Sequence, residues 1–211
     1  MKGTVPYLLG VTGGLGSGKS TVCRFLSELG CRVFEADNVA RELQIHDPEV
    51  VSAISLIFGQ EIYFRDASGV LVPDRKKIAS IVFSFPEKLA ELNKAVHPAV
   101  FREFTRAVKK AGDDGVRILV KEAAILFEAG GDRGMDAVIV VAADMQRRIE
   151  RAVRKGLGSA EEIKKRIASQ LPQEQLIEKA DYVIMNNGSE EELKKETESV
   201  YSKVLLAAQL S

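Results

Sequence analysis

Apolar positions along the chain follow two periods. Five short runs are nearly continuous in apolar residues: YLLGVT from Tyr7, CRVFEAD from Cys31, VRILVKEA from Val116, DAVIVVAA from Asp136 and DYVIMNN from Asp181. Runs of this length and density predict strands buried on both faces. After the first run, Val22, Phe25, Leu26 and Leu29 recur at helical spacing, and Gly30 stands where a helix end takes a left-handed residue. Strands alternating with helices predict an α/β fold built on a parallel sheet. Two stretches break the alternation. Residues 38–97 carry helical periodicity in VARELQI, VVSAISLIFG, RKKIASIVF and KLAELNKAV, with loops at RDASGVLVPD and FSFPE, and read as a helical insert. Residues 144–175 are densely charged, with Arg147, Arg148, Arg151, Arg154 and Lys155 followed by EEIKKR. The five phenylalanines Phe58, Phe83, Phe85, Phe101 and Phe104 read as helix-packing residues.

Composition narrows the classes. At 211 residues the chain suits one core with inserted pieces rather than two full domains. Its 30 basic and 30 acidic residues cancel, so no global field argues for nucleic acid or an anionic membrane as partner. Phosphate binding has to come from local geometry. Cys23 and Cys31 form no disulfide framework and no ligand spacing, and read as small apolar residues of a reducing compartment. The N-terminus lacks the pattern of a secretory signal, and no apolar stretch is long enough to span a membrane, so a cytoplasmic protein is expected.

The chemistry begins at GGLGSGKST. Gly13, four residues, then Gly18, Lys19 and Ser20 fulfil the Walker A pattern, between a predicted strand and a predicted helix. Without Cβ atoms at Gly13, Gly14, Gly16 and Gly18, the loop can curl its N–H groups, Ser17's included, toward a polyphosphate at the positive end of the helix. Lys19 would lie on the β- and γ-phosphates, Ser20 would hold Mg²⁺, and Thr21 would meet the α-phosphate. A plain strand-to-helix turn would not need all these fixed positions. Nucleotide binding alone names no reaction, since switch proteins, motors and kinases share this loop. At the end of the second strand, Glu35 and Asp37 fall at i and i+2, on one side of an extended segment. Phosphoryl transfer to a hydroxyl calls for such a carboxylate beside the acceptor oxygen, and Asp37 is the candidate. Its bland alternative is an N-cap for a helix starting near Asn38.

With these residues the chain resembles the dephospho-coenzyme A kinase family nearly end to end. The motifs are TGGLGSGKST, EADNVAREL, Phe58-Gly59, Asp74-Arg75, IVFSFPE, His97-Pro98, LFE at 126–128, RIASQ at 166–170, Ala180-Asp181 and NNGS at 186–189. The resemblance implies a five-stranded parallel sheet P-loop kinase core over residues 1–37, 98–143 and 176–211. It also implies a helical acceptor-binding insert at 38–97 and a helical lid at 144–175. It implies the substrates ATP and dephospho-CoA, Mg²⁺ as cofactor, and phosphorylation of the ribose 3′-hydroxyl by a monomer or weak homo-oligomer. By position, Asp37 matches the catalytic carboxylate, Arg151 the closing lid arginine, and Arg41, Arg75 and His97 acceptor-side residues. For Arg41 a structural ion pair is the alternative, and for His97 a hydrogen bond at a helix start. Gln170 and Asn187 fall at the adenine end, though Asn187-Gly188 is also a turn signal.

The chain departs from the family pattern at four places. Glu35 replaces an aspartate, Ala124 a proline, Lys155 a second arginine and Gly156 an aspartate. Lysine keeps the charge and loses the bidentate fork, which Arg154 could replace if the helix register shifts. Among other functions, a small P-loop kinase with a different acceptor would need a different insert. A guanine-nucleotide switch would need an N-K-x-D motif, which is absent. A member that binds without catalysis would not need Lys19, Ser20, Asp37 and Arg151 intact.

Overall fold

The computed structural model describes residues 5–209, apart from the side chains of Phe83 and Gln209. In chain order its elements are β1 (Tyr7–Thr12), α1 (Lys19–Glu28), β2 (Arg32–Glu35), α2 (Ala36–His46), α3 (Pro48–Phe58), a 3₁₀ turn (Gln60–Ile62), β3 (Tyr63–Arg65) and β4 (Leu71–Pro73). There follow α4 (Arg75–Ser84), α5 (Pro86–Asp113), β5 (Ile118–Glu122), β6 (Ala137–Ala142), α6 (Met145–Arg154), α7 (Ala160–Ala168), α8 (Gln173–Glu178), β7 (Tyr182–Met185) and α9 (Glu190–Gln209). Contacts divide the chain into two compact units, residues 1–35 with 108–211, and residues 36–107.

The five apolar runs all form strands of one parallel sheet in the order β2-β5-β1-β6-β7. β1 lies at the centre, with Leu9 and Val11 fully buried, and β6 is buried along its whole length. Leu26, Val22 and Phe25 of α1 join Val200 and Val204 of α9 over one face of this sheet. Each such fully buried aliphatic side chain contributes about 1.5–3 kcal/mol. Cys23 and Cys31 are free, buried thiols in this core, as expected, and burial pushes the Cys31 thiol up to about 12. No helix among the described residues is long and apolar enough to cross a membrane.

The second unit differs from its expectation in three places. The segment RDASGVLVPD is a two-stranded antiparallel ribbon, β3 with β4, rather than a loop. Its turn is built by Asp66, whose carboxylate accepts from the amides of Ser68 and Val70, with Gly69 at a φ of 82°. At the far end of the unit, α5 runs through Pro98 without a break. Proline removes one N–H yet leaves the rest of a 28-residue ladder in place, so the boundary expected at 97 falls inside a helix, and the compact unit extends to 107. His97 therefore lies mid-helix and not at a helix start. Of the phenylalanines, Phe58 and Phe104 are buried as expected, whereas Phe85 at the α4 C-cap and Phe101 are exposed. Phe83 lies outside the described side chains.

Candidate functional site

The glycine loop joins the buried end of β1 to α1. Gly16 and Gly18 hold φ values of 78° and 102°, a region that side-chain-bearing residues enter only with strain. Gly18 is the N-cap of α1 and offers no side-chain oxygen to the first-turn amides, and no acidic residue sits in that turn. The positive end of the helix is thus left for an outside anion. Lys19 arches back over the loop, its Nζ donating to the Gly13 carbonyl at 2.8 Å. Two hydroxyl oxygens, Thr12 Oγ1 and Ser17 Oγ, are buried here without a hydrogen-bond partner. A cradle with no room for Cβ atoms, an uncapped helix start and orphaned hydroxyls fit a bound polyphosphate.

The segment expected to be a lid packs behind the loop. Ile149 and Ala152 of α6 and Ile163 and Ile167 of α7 form a small buried cluster with the Leu15 side chain against it. Arg148 is only 4% exposed and its Nε donates to the Leu15 carbonyl at 3.0 Å. A Cβ on Gly14 would collide with the Arg148 guanidinium, and one on Gly16 with the Arg148 backbone carbonyl. The loop glycines therefore make room for α6 as well as for phosphate. Burial pulls the Arg148 pKa down, opposed by the nearby Glu174. Arg151, three residues on, donates from Nη1 to the Asn186 carbonyl at 2.9 Å and from Nη2 to Asn186 Oδ1 at 3.1 Å. Asn186 is buried and its Nδ2 donates to the Ser17 carbonyl at 2.7 Å, so Arg151 reaches the loop through one intermediary.

Three expectations change here. Gln170 holds the loop, its Oε1 accepting from the Leu15 amide at 2.9 Å. Asn187 is paired with Asp144 in both directions, accepting from the Asp144 amide and donating to its carboxylate, each at 2.8 Å. Glu35 ends β2 and Asp37 lies in the first turn of α2, so the two do not share an extended segment. Helix α2 starts directly at Ala36, which also leaves Asp37 inside the helix and not at its N-cap. Gly156 has a φ of 68° just after α6, a position that suits glycine better than aspartate, and Lys155 is the exposed C-cap.

Two functional candidates were not found from sequence. Glu122 ends β5 directly opposite Glu35 of β2, and both line a cavity of about 280 Å³ with Ser20 and Cys23. Burial, with Glu122 nearby, raises the Cys23 pKa and keeps it a thiol. The signal for Glu122 was a carboxylate ending a buried strand at the edge where ligands bind in such sheets. Arg148 carried no signal that set it apart from its charged neighbours. Among the described residues, no group of three His, Cys, Asp or Glu side chains is placed to hold a metal ion. A magnesium ion here would be held by a hydroxyl or single carboxylate together with phosphate oxygens, its common habit at nucleotide sites.

In the second unit, Arg75 opens α4 behind the Asp74 cap, and its Nη2 donates to the Arg41 carbonyl at 3.3 Å. Burial and the neighbouring Arg41 charge lower its pKa. Asp37 and Arg41 are four residues apart on α2 and share a face. Tyr63 donates to the Gln44 carbonyl at 2.9 Å, and burial pushes its phenol up to about 12.

A parallel sheet ordered β2-β5-β1-β6-β7, with the glycine loop leaving its central strand for the N-terminus of α1, is the architecture of a P-loop kinase. The dephospho-CoA kinase family model matches residues 7–192, and the chain belongs to that family of ATP-using enzymes. The dephospho-CoA kinase of Chlorobaculum tepidum is 56% identical over 205 residues, covering 97% of this chain and 98% of its own. A solved structure from Thermus thermophilus matches with a TM-score of 0.78 at 28% identity, over 95% of this chain and 98% of that one. The dephospho-CoA kinase of Campylobacter jejuni, at 24% identity and a TM-score of 0.67 over 94% and 97% of the two chains, shares the fold.

Proposed function

We propose that the chain transfers the γ-phosphoryl group of ATP to the ribose 3′-hydroxyl of dephospho-CoA, with Mg²⁺, through the residues described above. The activity class, the last step of coenzyme A biosynthesis, follows from family membership; the proposal is the assignment of roles. The observation that carries it is the family match over residues 7–192 on a chain whose glycine cradle and Lys19 are intact.

In this reading residues 13–21 wrap the polyphosphate, with Gly13, Gly14, Gly16, Ser17 and Gly18 forming the cradle and Thr21 at the α-phosphate. Lys19 exchanges the Gly13 carbonyl for β- and γ-phosphate oxygens. Ser20 holds Mg²⁺, which when bound offsets charge on those oxygens. The Asp37 carboxylate orients the acceptor hydroxyl and takes its proton. Arg151 turns its planar fork from Asn186 to the transferring group, where a fixed cation lowers the cost of developing charge. Arg41, Arg75 and His97, in the 38–97 insert, hold the acceptor, and the lid at 144–175 excludes water. The supporting observations are the Arg41–Arg75 contact and the pre-held position of Arg151 beside the loop.

The test is phosphoryl transfer from Mg-ATP to dephospho-CoA, run beside AMP, shikimate and no acceptor. Transfer confined to dephospho-CoA, with kcat falling by about 10²–10⁴ in Asp37→Asn, is expected. Transfer to another hydroxyl, or turnover unchanged in that variant, would sink the assignment.

A further inference from the structure

We propose that Arg148 and Gln170 are positioning residues for the phosphate loop, holding both backbone polar groups of Leu15 so that the α6–α7 segment sets the shape of the cradle. This rests on the nucleotide-binding reading above and adds a source for the loop's order.

Leu15 sits between Gly14 and Gly16, the two residues least able to hold a conformation by themselves. Its carbonyl accepts from Arg148 Nε at 3.0 Å and its amide donates to Gln170 Oε1 at 2.9 Å. Its side chain packs on the α6–α7 cluster. All three attachments come from residues 148–170. Arg148 is buried against Gly14 and Gly16, with the Glu174 carboxylate nearby. Such burial is costly unless the guanidinium has fixed acceptors, and the Leu15 carbonyl is one. The Leu15 amide is spent on Gln170 and not left for phosphate, so this residue anchors the cradle while its neighbours form it.

A nucleotide that binds only the ordered loop has an apparent affinity reduced by the fraction of time the loop spends disordered. Removing one anchor should therefore weaken nucleotide binding by about fivefold to tenfold, the loss of a single net hydrogen bond. The experiment is calorimetric titration of Mg-ADP into the full chain as wild type, Gln170→Met, Gln170→Glu and Arg148→Met, with KM for ATP and for dephospho-CoA measured in parallel. Gln170→Met keeps the size and removes the accepting oxygen; Gln170→Glu keeps the oxygen. Expected are a Kd raised about fivefold to tenfold in Gln170→Met and Arg148→Met, and recovery to within about twofold of wild type in Gln170→Glu. KM for ATP should rise alongside, with KM for dephospho-CoA unmoved and the melting temperature of Gln170→Met lowered by no more than the few degrees that one hydrogen bond is worth.

Unchanged Mg-ADP affinity in Gln170→Met, or equal weakening in Gln170→Met and Gln170→Glu, would overturn the proposal. Should Arg148→Met not fold, the Gln170 pair decides alone. A wild type that binds Mg-ADP but leaves dephospho-CoA untouched would sink the acceptor reading and leave this inference standing. A wild type that binds no Mg-ADP would remove both.

Discussion

The glycine loop and helix α6 touch each other, yet the two place their chemistry in different parts of the molecule. In the proposed reading the loop works through its backbone, and the residues that would permit this, from Gly13 to Ser20, are consecutive in sequence. Helix α6 works through side chains that look alike on paper: Arg147, Arg148, Arg151 and Arg154 with Lys155 after them. The fold separates them. Arg148 is buried against the loop, Arg151 is half-buried on Asn186, and Arg147, Arg154 and Lys155 are exposed. Backbone function is written locally, whereas the role of one arginine among several is assigned by its neighbours in space.

The comparison can be broken most severely at α6. Arg151→Met should lower kcat by about a thousandfold, as the loss of a charge-stabilising arginine does in other phosphoryl transfers, while Arg147→Met changes it by less than about threefold. Equal losses in steady-state assays would mean the fold does not sort these charges. A second contrast sets Gly16 against Gly134, which share nearly the same φ, 78° and 82°, but only Gly16 has a neighbour in the way of a Cβ. Gly134→Ala should cost about 1–2 kcal/mol of strain in urea unfolding, and Gly16→Ala about 2–4 kcal/mol, the excess measuring α6 pressed against the loop.

A smaller effect is expected at Ser159, whose capping box with Glu162 starts α7. Ser159→Ala should destabilise the protein by about 1 kcal/mol, seen as a lower urea midpoint, with Mg-ADP affinity unchanged. The last lies in the second unit and serves as a control. The folded Tyr63 phenol titrates at about 12, above the ordinary value near 10. Between these values the unfolded chain has released a proton that the folded chain keeps, so the Tyr63 contribution is complete below pH 10 and is lost as pH rises toward 12. Tyr63→Phe should flatten that part of the alkaline stability curve and, by removing the hydrogen bond to the Gln44 carbonyl, lower stability at neutral pH by about 0.5–1.5 kcal/mol.

How much the sequence disclosed follows the same division. The inner strands β1, β5 and β6 were legible because they are largely buried on both faces and so are dense in apolar residues, and the half-buried edge strands β2 and β7 because each still carries a short apolar run. The loop was legible because its glycines have no cheaper use. Asp37 was misplaced because β2 passes into α2 with no intervening turn residue to mark the change of period. The β3–β4 ribbon was missed because three-residue strands are too short to show alternation. Helix α5 was cut at Pro98, where the local rule against proline lost to a long ladder on either side. Gln170 was read at the adenine end, and its contact with the loop was not legible, since its partner Leu15 lies 155 positions away.

The steric relation between the loop and Arg148 has a consequence for how such chains can diverge. At position 14 the obstacle is a side chain, so a larger residue there becomes tolerable once residue 148 shrinks, and the two positions should change together across descendants. At position 16 the obstacle is the backbone of residue 148 itself, which no substitution removes. One glycine is therefore negotiable in partnership with a distant site, and the other is fixed for as long as this helix stays where it is.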